Sequence, residues 1–100
     1  MLYNLDLIVQ GAKAKPKGVP YKTTVRSEKE GLQLAEGLET LLTGKGFTNF
    51  IDIEGDKRND FCIHSRKGEL SILGGKARIF VCIRVFGTRA GSMHCDLTVQ

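Results

Sequence analysis

Lys76-Ala77-Arg78-Ile79-Phe80-Val81-Cys82-Ile83-Arg84-Val85-Phe86 is the stretch whose reading decides the fold. Its odd positions, Ala77, Ile79, Val81, Ile83 and Val85, are small or β-branched. Its even positions carry Arg78, Phe80, Cys82, Arg84 and Phe86. Successive strand side chains point to opposite faces, so the segment reads as a strand with an aliphatic face suited to lie under a helix. The other face interleaves two arginines with two phenylalanines.

Upstream, Gly74-Gly75 signals a hairpin, because both central residues of a type I′ turn need positive φ. Glu69–Leu73 is then the partner strand, and Arg66-Lys67-Gly68 reads as a turn separating it from a short strand at Phe61–Ser65. Phe47–Glu54 gives another strand and Gly55–Asp60 a polar turn. Downstream, Gly87–Gly91 is a loop and Met93–Val99 alternates again.

The covering helix is Ser27–Gly44. Ser27 and Glu30 fit a capping box, and Glu28 and Glu30 place negative charge at the positive helix end. Leu34, Leu38, Leu41 and Leu42 stand at i, i+4, i+7 and i+8, flanked by Leu32 and Ala35, while Glu36 and Glu39 face water. Gly44 or Gly46 supplies the stop. Gly31 and Gly37 weaken a helix, which makes sense where the helix must approach a sheet closely.

At the N-terminus, Tyr3, Leu5, Leu7 and Val9 share one face of a strand over Leu2–Val9. Gly11–Pro20 reads as a flexible basic loop carrying Lys13, Lys15 and Lys17, and Tyr21–Arg26 as the next strand. The order β-β-α-β-β-β-β-β predicts a single α+β domain over residues 1–100. It has a mainly antiparallel sheet of about five to seven short strands and one principal helix packed on one face. The expected core is Leu5, Leu7, Leu34, Leu38, Leu41, Ile51, Ile53, Ile79, Val81, Ile83 and Val85.

One hundred residues leave no room for a second core of useful size. Apolar residues make up 41% and charged residues 26%, which excludes wholesale disorder and a collagen-like or disulfide-dense chain. No apolar run reaches the roughly 20 residues of a membrane span. The start of the chain has no basic n-region, so neither a signal peptide nor membrane association is expected. Cys62, Cys82 and Cys95 are odd in number and lack C-x-x-C spacing, which predicts reduced thiols and a cytoplasmic protein.

The net charge of +4 is unevenly distributed. Residues 1–26 carry five bases against one acid, residues 27–60 eight acids against four bases, and residues 61–100 six bases against two acids. Segregated charge favours binding partners of opposite sign.

The catalytic candidates are weak. His94 and Asp96 share a strand face with Ser92 and Thr98, but no G-x-S-x-G elbow accompanies them. Cys62 and His64 would share a face, with Arg66 beyond, giving a nucleophile–base pair on paper. Cys62, His64, His94 and Cys95 lack zinc-site spacing, and Gly74-Gly75-Lys76 lacks that of a phosphate loop. No catalytic residue, metal or cofactor is therefore assigned.

The binding candidates are Lys13, Lys15, Lys17, Lys22, Arg78, Phe80, Arg84 and Phe86. Arg and aromatic side chains concentrate in protein interfaces. The expected function is a small non-enzymatic binding or regulatory protein that works by protein–protein contact. Phage and mobile elements encode many such inhibitors of host complexes, which is a prior on size rather than a likeness of sequence. The alternative is nucleic-acid binding, with the basic loop on phosphates and the Arg/Phe face stacking bases. That face could also be covered by the protein's own loops or by a second copy in a homo-oligomer.

With Leu38 at the centre of the helix stripe, Leu38→Ala should cost about 2–5 kcal/mol, read from urea unfolding midpoints.

Overall fold

A computed structural model describes residues 18–53 and 61–99. The expected strand at Leu2–Val9, with Leu5 and Leu7, the lysines Lys13, Lys15 and Lys17, and the turn at Gly55–Asp60 lie outside the described residues. Five strands and one helix follow in order: β1 Gly18–Val25, α1 Glu28–Gly44, β2 Thr48–Asp52, β3 Cys62–Ile72, β4 Ala77–Gly87 and β5 Met93–Val99. They form one antiparallel sheet in the order β1-β5-β4-β3-β2, with α1 against one face, so the α+β class is as the alternation predicts. Gly18–Pro20, expected within the basic loop, already belong to β1.

Both helix ends follow local chemistry. The Ser27 hydroxyl accepts the Glu30 amide at 3.1 Å. At the other end Gly46 takes φ 103°, its N–H donates to Thr43 O, and Phe47 N–H donates to Leu42 O. This paired closure uses glycine's left-handed freedom and turns Phe47 inward. Phe47 is buried, a core residue the helical periodicity did not reveal.

The buried line of α1 is Gly31, Ala35, Leu38 and Leu42, while Leu34 and Leu41 are half-buried at its sides. Beneath it lie Ile79, Val81, Ile83 and Val85 of β4 with Leu97 and Val99 of β5. A Cβ on Gly31 would sit 2.7 Å from Val85 Cγ1, so the close approach read from the sequence is real at this position. Glu39, expected to face water, instead turns to the sheet. Arg66 grips it through Nε at 2.8 Å and Nη2 at 3.1 Å, and reaches Asp52 at 3.2 Å. The bond to Glu39 raises the guanidinium pKa despite partial burial, so the charge is held.

Two expectations fail between Ile51 and Leu73. Arg66-Lys67-Gly68 is not a turn: β3 runs unbroken from Cys62 to Ile72. Gly68 serves packing instead, because the Phe50 ring lies where its Cβ would be, with ring atoms at 2.5–2.7 Å. Ile51 is not core and is 58% exposed. A bulge between Thr48 and Ile51, with Asn49 at φ 57°, directs Phe50 inward and leaves Ile51 opposite Lys67. Ile53 is half-buried.

The Gly74-Gly75 reading survives. Gly74 at φ 64°, ψ 29° and Gly75 at φ 86° are closed by Lys76 N–H donating to Leu73 O at 3.2 Å, the pattern of a type I′ turn.

Gly68→Ala should therefore cost about 1–3 kcal/mol by displacing the Phe50 ring. Thermal unfolding measures it, and no loss would overturn the packing role of Gly68 against Phe50.

Candidate contact interface

The face of the sheet opposite α1 carries the binding candidates that lie among the described residues, in rows set by strand register. Lys22, Asp96, Arg84 and Ser65 make one row; Thr24, His94, Phe86 and Cys62 make the next. On the other side, Thr98, Cys82, Lys67 and Ile51 align, followed by Phe80 with Glu69 and Arg78 with Ser71.

The interior of this face is a satisfied polar network. Arg84 donates through Nε to Asp96 Oδ1 at 3.0 Å and through Nη2 to Oδ2 at 2.6 Å, a bidentate pair. Asp96 is 2% exposed and the Arg84 side chain 14%. Ser65 Oγ lies 3.2 Å from Cys82 Sγ, and Thr98 Oγ1 donates to Cys82 O at 3.5 Å. Phe86 is buried, with the Arg84 guanidinium 4.7 Å and the Lys22 ammonium 5.7 Å from its centroid. The His94 ring stands 5.5 Å from Phe86, and His94 Nδ1 is 3.4 Å from Thr24 Oγ1.

Toward the hairpin end the face opens. The Lys67 ammonium sits 4.7 Å from the Phe80 centroid. Glu69 accepts Asn49 Nδ2 at 2.8 Å and faces Arg78 Nη1 at 3.6 Å. The Arg78 side chain is 60% exposed.

The candidates thus divide. Lys22 and Arg78 are exposed and Phe80 is half-buried, whereas Arg84 and Phe86 are internal parts of the face. Residues missed by sequence reasoning are Ile51, Phe61 and Ile63, at 58%, 48% and 41% exposure, and Lys67. The signal was present: Ile63, Ser65, Lys67 and Glu69 alternate with His64, Arg66, Gly68 and Leu70 straight through Gly68.

The nucleophile and metal candidates are not assembled. A bulge between Cys62 and His64 puts Cys62 opposite Phe86 and His64 opposite Val85, so they do not share a face as a regular pleat predicts. Arg66 is taken by Glu39 and Asp52 on the helix side. The Cys62 thiol donates to the His64 carbonyl at 3.4 Å. Both Asp96 oxygens are held by Arg84, leaving neither to orient His94. Cys95 is fully buried; burial and the Asp96 charge push its thiol up to about 12, so it stays protonated at neutral pH. None of the three cysteines is in a disulfide. Among the described residues no group of three or more His, Cys, Asp and Glu could hold a metal, and no helix is long and apolar enough to cross a membrane.

Comparison of the chain with protein-family models, curated proteins and solved structures finds no match.

Asp96→Ala should destabilise the fold by about 3–5 kcal/mol, since it leaves Arg84 buried without its carboxylate. The double variant Arg84→Met/Asp96→Leu should recover most of that loss in the same urea titration.

Proposed function

We propose that the chain is a small non-enzymatic regulatory protein, of the inhibitor type, that acts by docking on another protein. The observation that carries this reading is the exposure of large apolar side chains on the β2–β3 side of the sheet: Ile51 on β2, Ile63 on β3 and Phe61 just ahead of it. Ile51 stands opposite Lys67, whose ammonium lies over the half-buried Phe80, so an apolar side chain, a ring and a cation adjoin there as in an interface core with a polar rim.

The sheet face suits nucleic acid less well. Stacking needs bare ring faces, and Phe80 and Phe86 each already carry a cation near the ring. Arg84, which would have met a phosphate, is committed to Asp96.

The test is a pull-down from a lysate of the encoding or host cell, with and without nuclease. Wild type should recover a protein partner in fixed stoichiometry and resistant to nuclease, and Ile51→Glu/Ile63→Glu should lose it. Recovery of nucleic acid alone, of nothing, or of the same partner by the variant would overturn the proposal.

A further inference from the structure

The β3–β4 hairpin outruns the other described strands of the sheet. Pairing of β4 with β5 ends at Val81–Val99 and pairing of β3 with β2 ends at Thr48–Glu69. The hairpin continues through Leu70–Ile79, Ser71–Arg78 and Ile72–Ala77. At about 3.3 Å per residue, that carries the turn roughly 10 Å past its neighbours among the described strands.

At the tip of this arm, immediately before the Gly74-Gly75 turn, stands Leu73. It is 73% exposed and held at φ 53°, a left-handed backbone that disfavours side chains with a Cβ. Glycine or asparagine would fill such a position with less strain, so Leu73 is poorly explained as turn chemistry. Lys76 and Arg78 flank it, both exposed.

A complementary surface exists on the same chain. The outer side of α1 carries an open groove of about 400 Å³ lined by Glu28, Lys29, Leu32, Gln33 and Glu36. Glu28, Leu32 and Glu36 follow one another at i, i+4 and i+8, so a half-buried leucine lies between two carboxylates on one helix face. An apolar tip with basic flanks thus meets an apolar floor with a carboxylate at each end, Lys29 lining the groove beside Glu28.

We infer that the Leu73 arm of one protomer docks in the α1 groove of a second copy, with Leu73 on Leu32 and Lys76 and Arg78 toward Glu36 and Glu28. The helix begins over Val25 and Val85 and ends beside Leu70, so groove and arm lie toward opposite ends of the molecule. An antiparallel two-fold pair therefore lets each arm reach the other protomer's groove and doubles a small contact. Contacts of this size give weak, reversible association. This inference goes beyond protein-partner docking and uses a different surface.

Sedimentation velocity on the purified, nuclease-treated full chain tests it, from about 10 μM to 1 mM, the range expected for weak interfaces. Wild type should show a monomer–dimer equilibrium that weakens as salt rises. Leu73→Gly removes the apolar side chain at the tip and relieves the left-handed strain, so the fold should be at least as stable while dimerisation weakens about 10-fold or more. Lys76→Glu and Glu36→Lys should each weaken their own dimers, and a 1:1 mixture should form a heterodimer in which both contacts are again opposite in charge. A wild type that stays monomeric, a dimer indifferent to Leu73→Gly, or a mixture that forms no heterodimer would overturn the inference. Because Ile51 and Ile63 are untouched and no lysate is used, its failure is distinct from failure of the pull-down.

Discussion

The seat of Gly31 on Val85 sets the spacing on which the rest of the structure depends. A side chain at position 31 would strike Val85 Cγ1, so the helix can lie down on β4 only where there is none. Glycine inside a helix costs about 1 kcal/mol relative to alanine. The return is that Ala35, Leu38 and Leu42 all reach the sheet and are buried to 1% exposure or less. Packing at crystalline density leaves no intermediate arrangement, since a helix raised by one methyl width would open voids along its whole buried line.

With its helix-side residues fixed in this way, β4 has no freedom over what its other side chains do. Val81, Ile83 and Val85 pointing to α1 means Cys82, Arg84 and Phe86 pointing away. A slip of one residue against β5 would exchange the two sets and bury Arg84 in the aliphatic layer without Asp96. The buried pair is thus better understood as a lock on register than as a source of net stability, because desolvation offsets much of its attraction. The same pair removes Arg84 from the list of groups able to meet a ligand, and leaves contact chemistry to the exposed margins of the face.

The sequence was most legible where periodicity and local chemistry agree. The Ser27 cap, the glycine-terminated helix, the β4 alternation and the Gly74-Gly75 turn are all readable from neighbours within a few positions. Legibility failed where the deciding partner is distant. Gly68 has the composition of a turn beside Arg66 and Lys67, and only the Phe50 ring, eighteen residues earlier, explains it as a strand residue. Ile51 alternates correctly for a core position, yet a bulge shifts the inward place to Phe50. The candidate interface suffered similarly. Residue type marked Arg84 and Phe86 as contact groups, but the carboxylate that absorbs Arg84 is on β5 and the lysine beside Phe86 is on β1.

The bulge in β2 also has a bearing on how the protein behaves when crowded. β2 is the last strand on its side of the described sheet, and such an edge would ordinarily offer a row of amides and carbonyls to any extended chain. With Asn49 in the left-handed region and two residues of β2 set against one of β3, that row is broken near its middle. An incoming strand would lose its ladder after a bond or two and could not propagate it. Fibre growth from this edge is thereby discouraged by backbone geometry alone, although Ile51 stands exposed upon it.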